Sequence, residues 1–236
     1  MQVKTKAIVI SALRYQEKSL IVKCFTEVAG LKSYFVRNAF SGKTAQKIAY
    51  FQPLTILEIE AVHKNKGTLE TFKEIKLAMA FHSVNTDVVK STILMFVSEV
   101  LHHSIHEEEK NEDLFAFLET ALYWLDNHDE IANFHLILLL EITKFFGFYP
   151  DVSGADLPFF EMTEGLFTPF HAISCLSEHE THLFKKLIGL KFGSDQKIFA
   201  GIERQILLKI LLDYYSFHLD GFKKPKSLEV LKEVFS

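Results

Sequence analysis

The chain has two cysteines, five prolines and one tryptophan in 236 residues, and these shortages narrow what it can be. Cys24 and Cys175 stand far apart, so no disulfide framework is implied and a reducing compartment is expected. The first residues, Met1-Gln-Val-Lys-Thr-Lys6, lack the apolar run and small-residue cleavage site of a signal peptide. No stretch reaches the ~20 apolar residues that a bilayer-spanning helix needs. The most apolar one, Phe134 to Phe146, is interrupted by Glu141 and Lys144. The cytoplasm is therefore the expected location. Catalytic signatures are scarce too. Gly42-Lys43-Thr44 lacks the upstream glycine of a phosphate-cradling loop, and no Ser/His/Asp set or paired-carboxylate motif stands out.

What the chain does have is a division of charge. Residues 1–80 hold 13 Lys/Arg and 6 Asp/Glu, a net of +7, whereas the remaining 156 hold 13 and 24, a net of −11. The overall net of −4 averages this away. A small module with concentrated positive charge suggests a polyanionic partner, nucleic acid first. The acidic remainder suits a scaffold or a protein-docking body.

The same boundary separates two periodicities. Lys4–Leu13, Leu20–Thr26, Leu31–Asn38, Leu54–Val62 and Leu69–Leu77 are strand-like, with polar connectors between them. Five strands in under 80 residues suit a small closed barrel, and the OB-fold is the common five-stranded choice. From Ala78 the pattern turns helical: Val89, Ile93, Phe96, Val97 and Val100 form one stripe, and Leu114, Phe117, Leu118, Leu122 and Leu125 another. Ile131 to Phe146 is apolar almost all round, as a buried helix is. Residues 148–176, punctuated by Gly154, Pro158, Gly165 and Pro169, predict an irregular hairpin excursion. Ser177 with Glu180 forms a capping box for the next helix, and a long helix through Ile206 and Tyr214 and a short one at Ser227–Phe235 follow. The expected fold is α+β and multidomain. It comprises an N-terminal five-stranded OB-fold barrel (1–80) and an all-helical C-terminal domain (81–236) with a short irregular hairpin insertion.

Nucleic acid held without sequence preference requires cations for phosphates and aromatics on which bases stack. Strand two offers Lys23 beside Phe25, and strand three Lys32 beside Tyr34. Arg37, Lys43 and Lys47 follow, and residues 28–57 hold four Lys/Arg and no Asp/Glu. Those seven residues form the candidate DNA surface. Two histidine groups are candidate metal ligands: His102, His103 and His106, and the looser His171, Cys175, His179 and His182. Neither matches a metal signature. His179-Glu-Thr-His182 is one residue short of His-Glu-x-x-His, and a lone cysteine lacks Cys-x-x-Cys spacing. The plainer reading of the first is a solvated polar helix end, and no metal is expected at the second.

The order of residues resembles one family. Phe25-Thr-Glu-Val-Ala-Gly30, Tyr34-Phe-Val-Arg37, the basic loop through Lys43 and Lys47, and Phe51-Gln-Pro-Leu54 look like the N-terminal domain of RecO. The resemblance continues in Phe145-Phe-Gly-Phe-Tyr-Pro150 and Phe222-Lys-Lys-Pro-Lys-Ser-Leu-Glu-Val-Leu231, and so runs end to end. It implies an OB-fold, a helical domain and no catalytic activity. It also implies binding of single- and double-stranded DNA, annealing of complementary strands and association with the nucleoid. The implied partners are the acidic tail of single-stranded-DNA-binding protein, RecR and, indirectly, RecA. Arg37 is the first DNA contact carried over, with Lys32, Lys43 and Lys47 next. An acidic tail ending in an aromatic needs an apolar pocket beside a cation, and Lys144 with Phe145 and Phe148 is the candidate. Many members carry a four-cysteine zinc module after the helix ending near Pro150. This chain keeps only Cys175 in that interval, so no cofactor is expected and the hairpin is read as metal-free.

Two other readings share these residues. One is a generic OB-fold binder of single-stranded nucleic acid, and the other a metal-dependent enzyme using the histidines.

Overall fold

Strand β1 (Gln2–Tyr15) is the longest in the chain and organises the first half. It pairs antiparallel with β2 (Ser19–Thr26) along its far part and with β4 (Ile56–Val62) along its near part. A break in register between Val9 and Ser11 lets it bend from one partner to the other. The computed structural model describes residues 1–40, 48–64, 68–105, 110–194 and 196–235. The sheet order is β3-β2-β1-β4-β5, with β3 at Gly30–Val36 and β5 at Thr71–Leu77. A parallel bridge between Tyr34 and Glu70 joins the two ends, with Phe35 N–H donating to Glu70 O at 2.9 Å and Glu70 N–H to Ser33 O at 2.8 Å. This is the five-stranded barrel that the alternation predicts. Its interior is filled by one side of each strand, including Val9, Val22, Cys24, Tyr34, Ile59 and Ile75, with Phe51 of a 3-10 turn closing one end.

The packing divides the chain into two compact units: Met1–Asn127 with Pro225–Ser227, and His128–Lys224 with Leu228–Ser236. The first therefore contains the barrel together with α1 (Val88–Ser104) and α2 (Glu112–Asn127). The change of period lies near Ala78, and the packing boundary lies after Asn127. Phe115 of α2 meets Phe25 at 6.0 Å between ring centroids, and Lys6 Nζ on β1 donates to both carboxylate oxygens of Glu119, at 2.7 and 3.0 Å. Asp126, at the end of α2, accepts backbone N–H groups of His82 (2.9 Å), Ser83 (2.8 Å) and Val84 (3.1 Å). Burial alone would raise its pKa, but these donors outweigh burial and hold the carboxyl below the usual range. The segment between strand and helix is thereby pinned to α2.

In the second unit α3 (Phe134–Ile142) is buried nearly all round, as its composition predicts, but it stops sooner than the apolar run. The Thr143 hydroxyl donates to Leu140 O at 2.6 Å, and Phe145 N–H reaches back only to Ile142 O, so the chain tightens into turns. A hairpin of β6 (Phe159–Glu161) and β7 (Leu166–Thr168) occupies the predicted excursion. Phe160 anchors it among Phe167, Phe184 and Tyr214. Its turn uses Gly165 at φ +70°, where an added Cβ would lie 2.4 Å from the Tyr214 hydroxyl. Helix α4 (Glu178–Ile188) carries the Ser177–Glu180 capping box, and α5 (Gly201–His218) and α6 (Leu228–Val234) complete the unit. No helix is long and apolar enough to cross a membrane among the described residues.

Candidate nucleic-acid interface

The register fixes which side chains share the outer wall of the barrel. Leu13, Ile21 and Phe35 form one cross-strand row on β1, β2 and β3, and Ser11, Lys23 and Ser33 the next. The intervening residues Leu20, Val22 and Val36 face the core. Tyr15 continues the outer set on β1 and packs edge-on against Phe35 at 6.1 Å. Arg37 lies two residues beyond Phe35, is exposed and extends the same wall. At the rim the Arg14 guanidinium covers the Phe40 ring at 4.8 Å and donates to Glu17 O, with Lys18 exposed in the same turn. Tyr15 and Phe40 are each more than two-fifths exposed.

Arg14, Lys18, Lys23 and Arg37 make no ion pair among the described residues. Lys23 is half-buried, and that desolvation lowers its pKa. A partly dehydrated ammonium without a counter-charge is a group that a phosphate oxygen would stabilise.

The seven candidate residues divide. Lys23 and Arg37 are on this wall. Lys43 and Lys47 lie outside the described residues. The other three need correction, because the faces they occupy are covered. Phe25 shares the outer side with Lys23, as alternation requires, but α2 lies over it and leaves it 1% exposed. Lys32 and Tyr34 do share a side, and that side is the barrel interior. Tyr34 is fully buried, stacks on Phe72 at 4.1 Å and hydrogen-bonds His63 Nε2 at 2.8 Å through its hydroxyl. Burial and the nearby Glu70 charge push its phenol pKa up, so it remains a neutral core residue. Lys32 is almost wholly buried beside His63.

The wall also contains residues outside the candidate set. Arg14, Tyr15, Lys18, Phe35 and Phe40 supply its aromatic and rim positions. A signal for them exists in the sequence: the alternation Ser11, Leu13, Tyr15 continues past Leu13, and β1 continues with it.

In the second unit Lys144 pairs with Glu141 and lies over the Tyr149 ring at 4.5 Å. Lys191 also reaches Glu141, at 3.0 Å, so two cations share one carboxylate. Phe145 is half-buried beside them. Phe148 needs correction, since it is packed among Tyr214, Tyr215 and His218 and offers little surface to a ligand.

The histidines are scattered. His102 and His103 meet edge to face on α1, and His106 lies outside the described residues. His171 packs against Phe159, Cys175 Sγ contacts Phe170 O at 3.8 Å, and His179 and His182 are exposed on α4. No group of three or more His, Cys, Asp or Glu gathers around a common point among the described residues.

Comparison with known proteins accounts for both halves. The family profile described as Recombination protein O N terminal matches residues 1–81, and Recombination protein O C terminal matches residues 85–229. A protein of Flavobacterium psychrophilum named DNA repair protein RecO is 77% identical over the full length of both chains. Proteins of the same name from Flavobacterium johnsoniae and Christiangramia forsetii are 73% and 41% identical, again over the full length of both chains. The chain therefore belongs to the RecO family, whose members serve DNA repair and recombination as mediators and not as enzymes.

Proposed function

We propose that this chain is a recombination mediator that holds single- and double-stranded DNA on the outer wall of β1, β2 and β3, and brings complementary strands together without breaking a bond. The observation that carries the reading is the set of four cations, without ion pairs among the described residues, beside exposed aromatic rings. Cations neutralise phosphates, and rings accept unstacked bases from either strand regardless of sequence. Residues 1–80 are the DNA-holding module and 81–236 the body that reads other proteins. Acting with RecR, the chain helps load RecA on DNA coated by single-stranded-DNA-binding protein, at the nucleoid. The acidic tail of that coating protein docks near Lys144 and Phe145, where Lys191 adds a second cation around Glu141.

The test is annealing of complementary oligonucleotides coated with single-stranded-DNA-binding protein. Duplex formation is expected to accelerate with this chain, and to lose that acceleration when the coating protein lacks its tail. No acceleration, or equal acceleration without the tail, would remove the mediator reading. A binder of single strands alone would retain the DNA affinity and show no annealing.

A further inference from the structure

The surface least suited to DNA surrounds the β6–β7 hairpin. From Phe145 to Phe184 there are 40 residues without a single lysine or arginine, and six carboxylates among them. Asp156, Glu164 and Glu178 are exposed and make no ion pair among the described residues. Lys185 approaches from α4, but it donates to Leu157 O at 2.6 Å and lies over the Phe167 ring.

This acidic surface also carries apolar side chains in water. Ile173 is fully exposed and Phe170 is 78% exposed, and Val152 and Leu166 are substantially so. Leu166 belongs to one small ladder, and the other three lie in the segments next to it. Leu166 lies opposite Glu161, Glu161 bridges Cys175, and Asp151 bridges Leu166. The ladder is rigidly seated through Phe160, through the Thr181 hydroxyl that accepts Phe160 N–H, and through Gly165 against Tyr214. Exposed apolar groups on one support, in a segment whose own charged residues are all carboxylates, mark a docking surface. Its occupant must bring cations and apolar groups together, which excludes DNA and acidic peptides.

The barrel wall meets both requirements, with Arg14, Lys18 and Arg37 beside the exposed Leu13, Tyr15 and Phe40. We propose that the hairpin surface of one copy docks on the barrel wall of a second copy. The contact joins two copies into a dimer. The dimer covers the wall with a carboxylate-rich surface that stands in for the polyanion, so self-association and DNA binding exclude each other. The exclusion rests on the DNA-binding reading of the wall; the docking itself rests on charge and exposure alone.

The test measures mass by sedimentation on the full chain, at about 0.05 and about 0.5 M salt, with and without a single-stranded oligonucleotide of about 30 nucleotides. At low salt the expected mass is twice the 27.2 kDa of the monomer. High salt, or saturating oligonucleotide, is expected to return the protein to monomers. Phe170→Ser with Ile173→Ser, and separately Glu164→Lys with Glu178→Lys, should abolish the dimer while leaving the thermal melt in place, because all four side chains are exposed. Both pairs should tighten apparent DNA binding at protein concentrations where the wild type is dimeric. A monomer under every condition overturns the proposal, as does a dimer that survives both pairs; a dimer that binds the oligonucleotide without dissociating overturns the exclusion and places the DNA away from the wall. Lys18→Glu with Arg37→Glu separates the two readings. Loss of the dimer with DNA affinity intact supports docking and removes the DNA wall, and the reverse outcome overturns docking and keeps the wall.

Discussion

On β4, β5 and the near end of β1, Lys4 reaches Glu58, Lys6 reaches Glu119, Lys76 reaches Glu74 and Lys73 donates to the Gln2 amide oxygen. At the far end of β1 and along β2 and β3, Arg14, Lys18, Lys23 and Arg37 reach no carboxylate among the described residues. Both regions are lysine- or arginine-rich strand surfaces of one small barrel. The net of +7 cannot tell them apart, because it adds up charges and ignores their neighbours. Local pairing separates them: three of the four lysines in one region face carboxylates, and the other region presents cations and rings to solvent. Surface ion pairs add little to stability, typically about 0–1 kcal/mol each. The difference therefore concerns what each region can attract more than how firmly it folds.

The sharpest way to break this comparison is at Phe25, which shares the outer wall with Lys23 but is covered by α2. Phe25→Ala should cost about 3–5 kcal/mol of stability in urea unfolding, and the DNA affinity of the folded fraction should not change. Weaker DNA binding with an unchanged midpoint would mean that the covered surface opens in solution. Next in size is charge reversal. Lys18→Glu with Arg37→Glu should weaken single-strand binding by about 3 kcal/mol and flatten the log–log salt slope by about 0.7 for each phosphate no longer neutralised. Lys4→Glu with Lys76→Glu, on the paired side, should move neither quantity appreciably. Equal effects from both pairs would erase the distinction. Tyr15→Ala should remove about 1–3 kcal/mol of binding to single strands while shifting the melting temperature little, because the ring sits on the surface against Phe35 and not in the core.

The finest test is a side-chain titration. The hydrogen bond and charge of Glu119 raise the Lys6 pKa, and desolvation lowers that of Lys23. The linkage signs are opposite. The pairing of Lys6 stabilises the fold below the unfolded lysine pKa and is lost as pH rises through the higher folded value. Lys23 destabilises the fold while charged; that cost is complete below its lowered folded value, falls as pH rises past it, and is gone above the unfolded lysine value. By NMR, Lys23 should titrate below Lys6, and an added oligonucleotide should move Lys23 upward while leaving Lys6 in place. A stationary Lys23 would place the phosphates elsewhere.

Much of this arrangement is legible in residue order. Alternation locates all five strands within a few residues, and Ser177 with Glu180 announces the start of α4. Alternation also pairs Lys32 with Tyr34 and Lys23 with Phe25 correctly. It cannot say which side of a closed barrel is inside, since both sides of β3 carry an aromatic residue. Nor can it reveal that a helix almost 90 residues later in sequence covers Phe25, because that depends on long-range packing against Phe115. The end of β1 escapes it for a different reason. Arg14 to Lys18 is polar enough for a turn, and the strand extends to Tyr15 because β2 supplies a partner at Ser19.

The Asp126 clamp bears on how this protein can be divided at the bench. A fragment ending at residue 81, where the first family segment ends, would lack Glu119 opposite Lys6 and Phe115 over Phe25. It would also end just short of His82 to Val84, the residues by which Asp126 ties the strand exit to α2 in the intact chain. Its barrel would expose a greasy ring next to an orphaned ammonium, and such a piece should precipitate or need a solubilising fusion. A fragment carried through Asn127 keeps all three supports, and that is where a scissor placed for crystallisation or isotope labelling belongs.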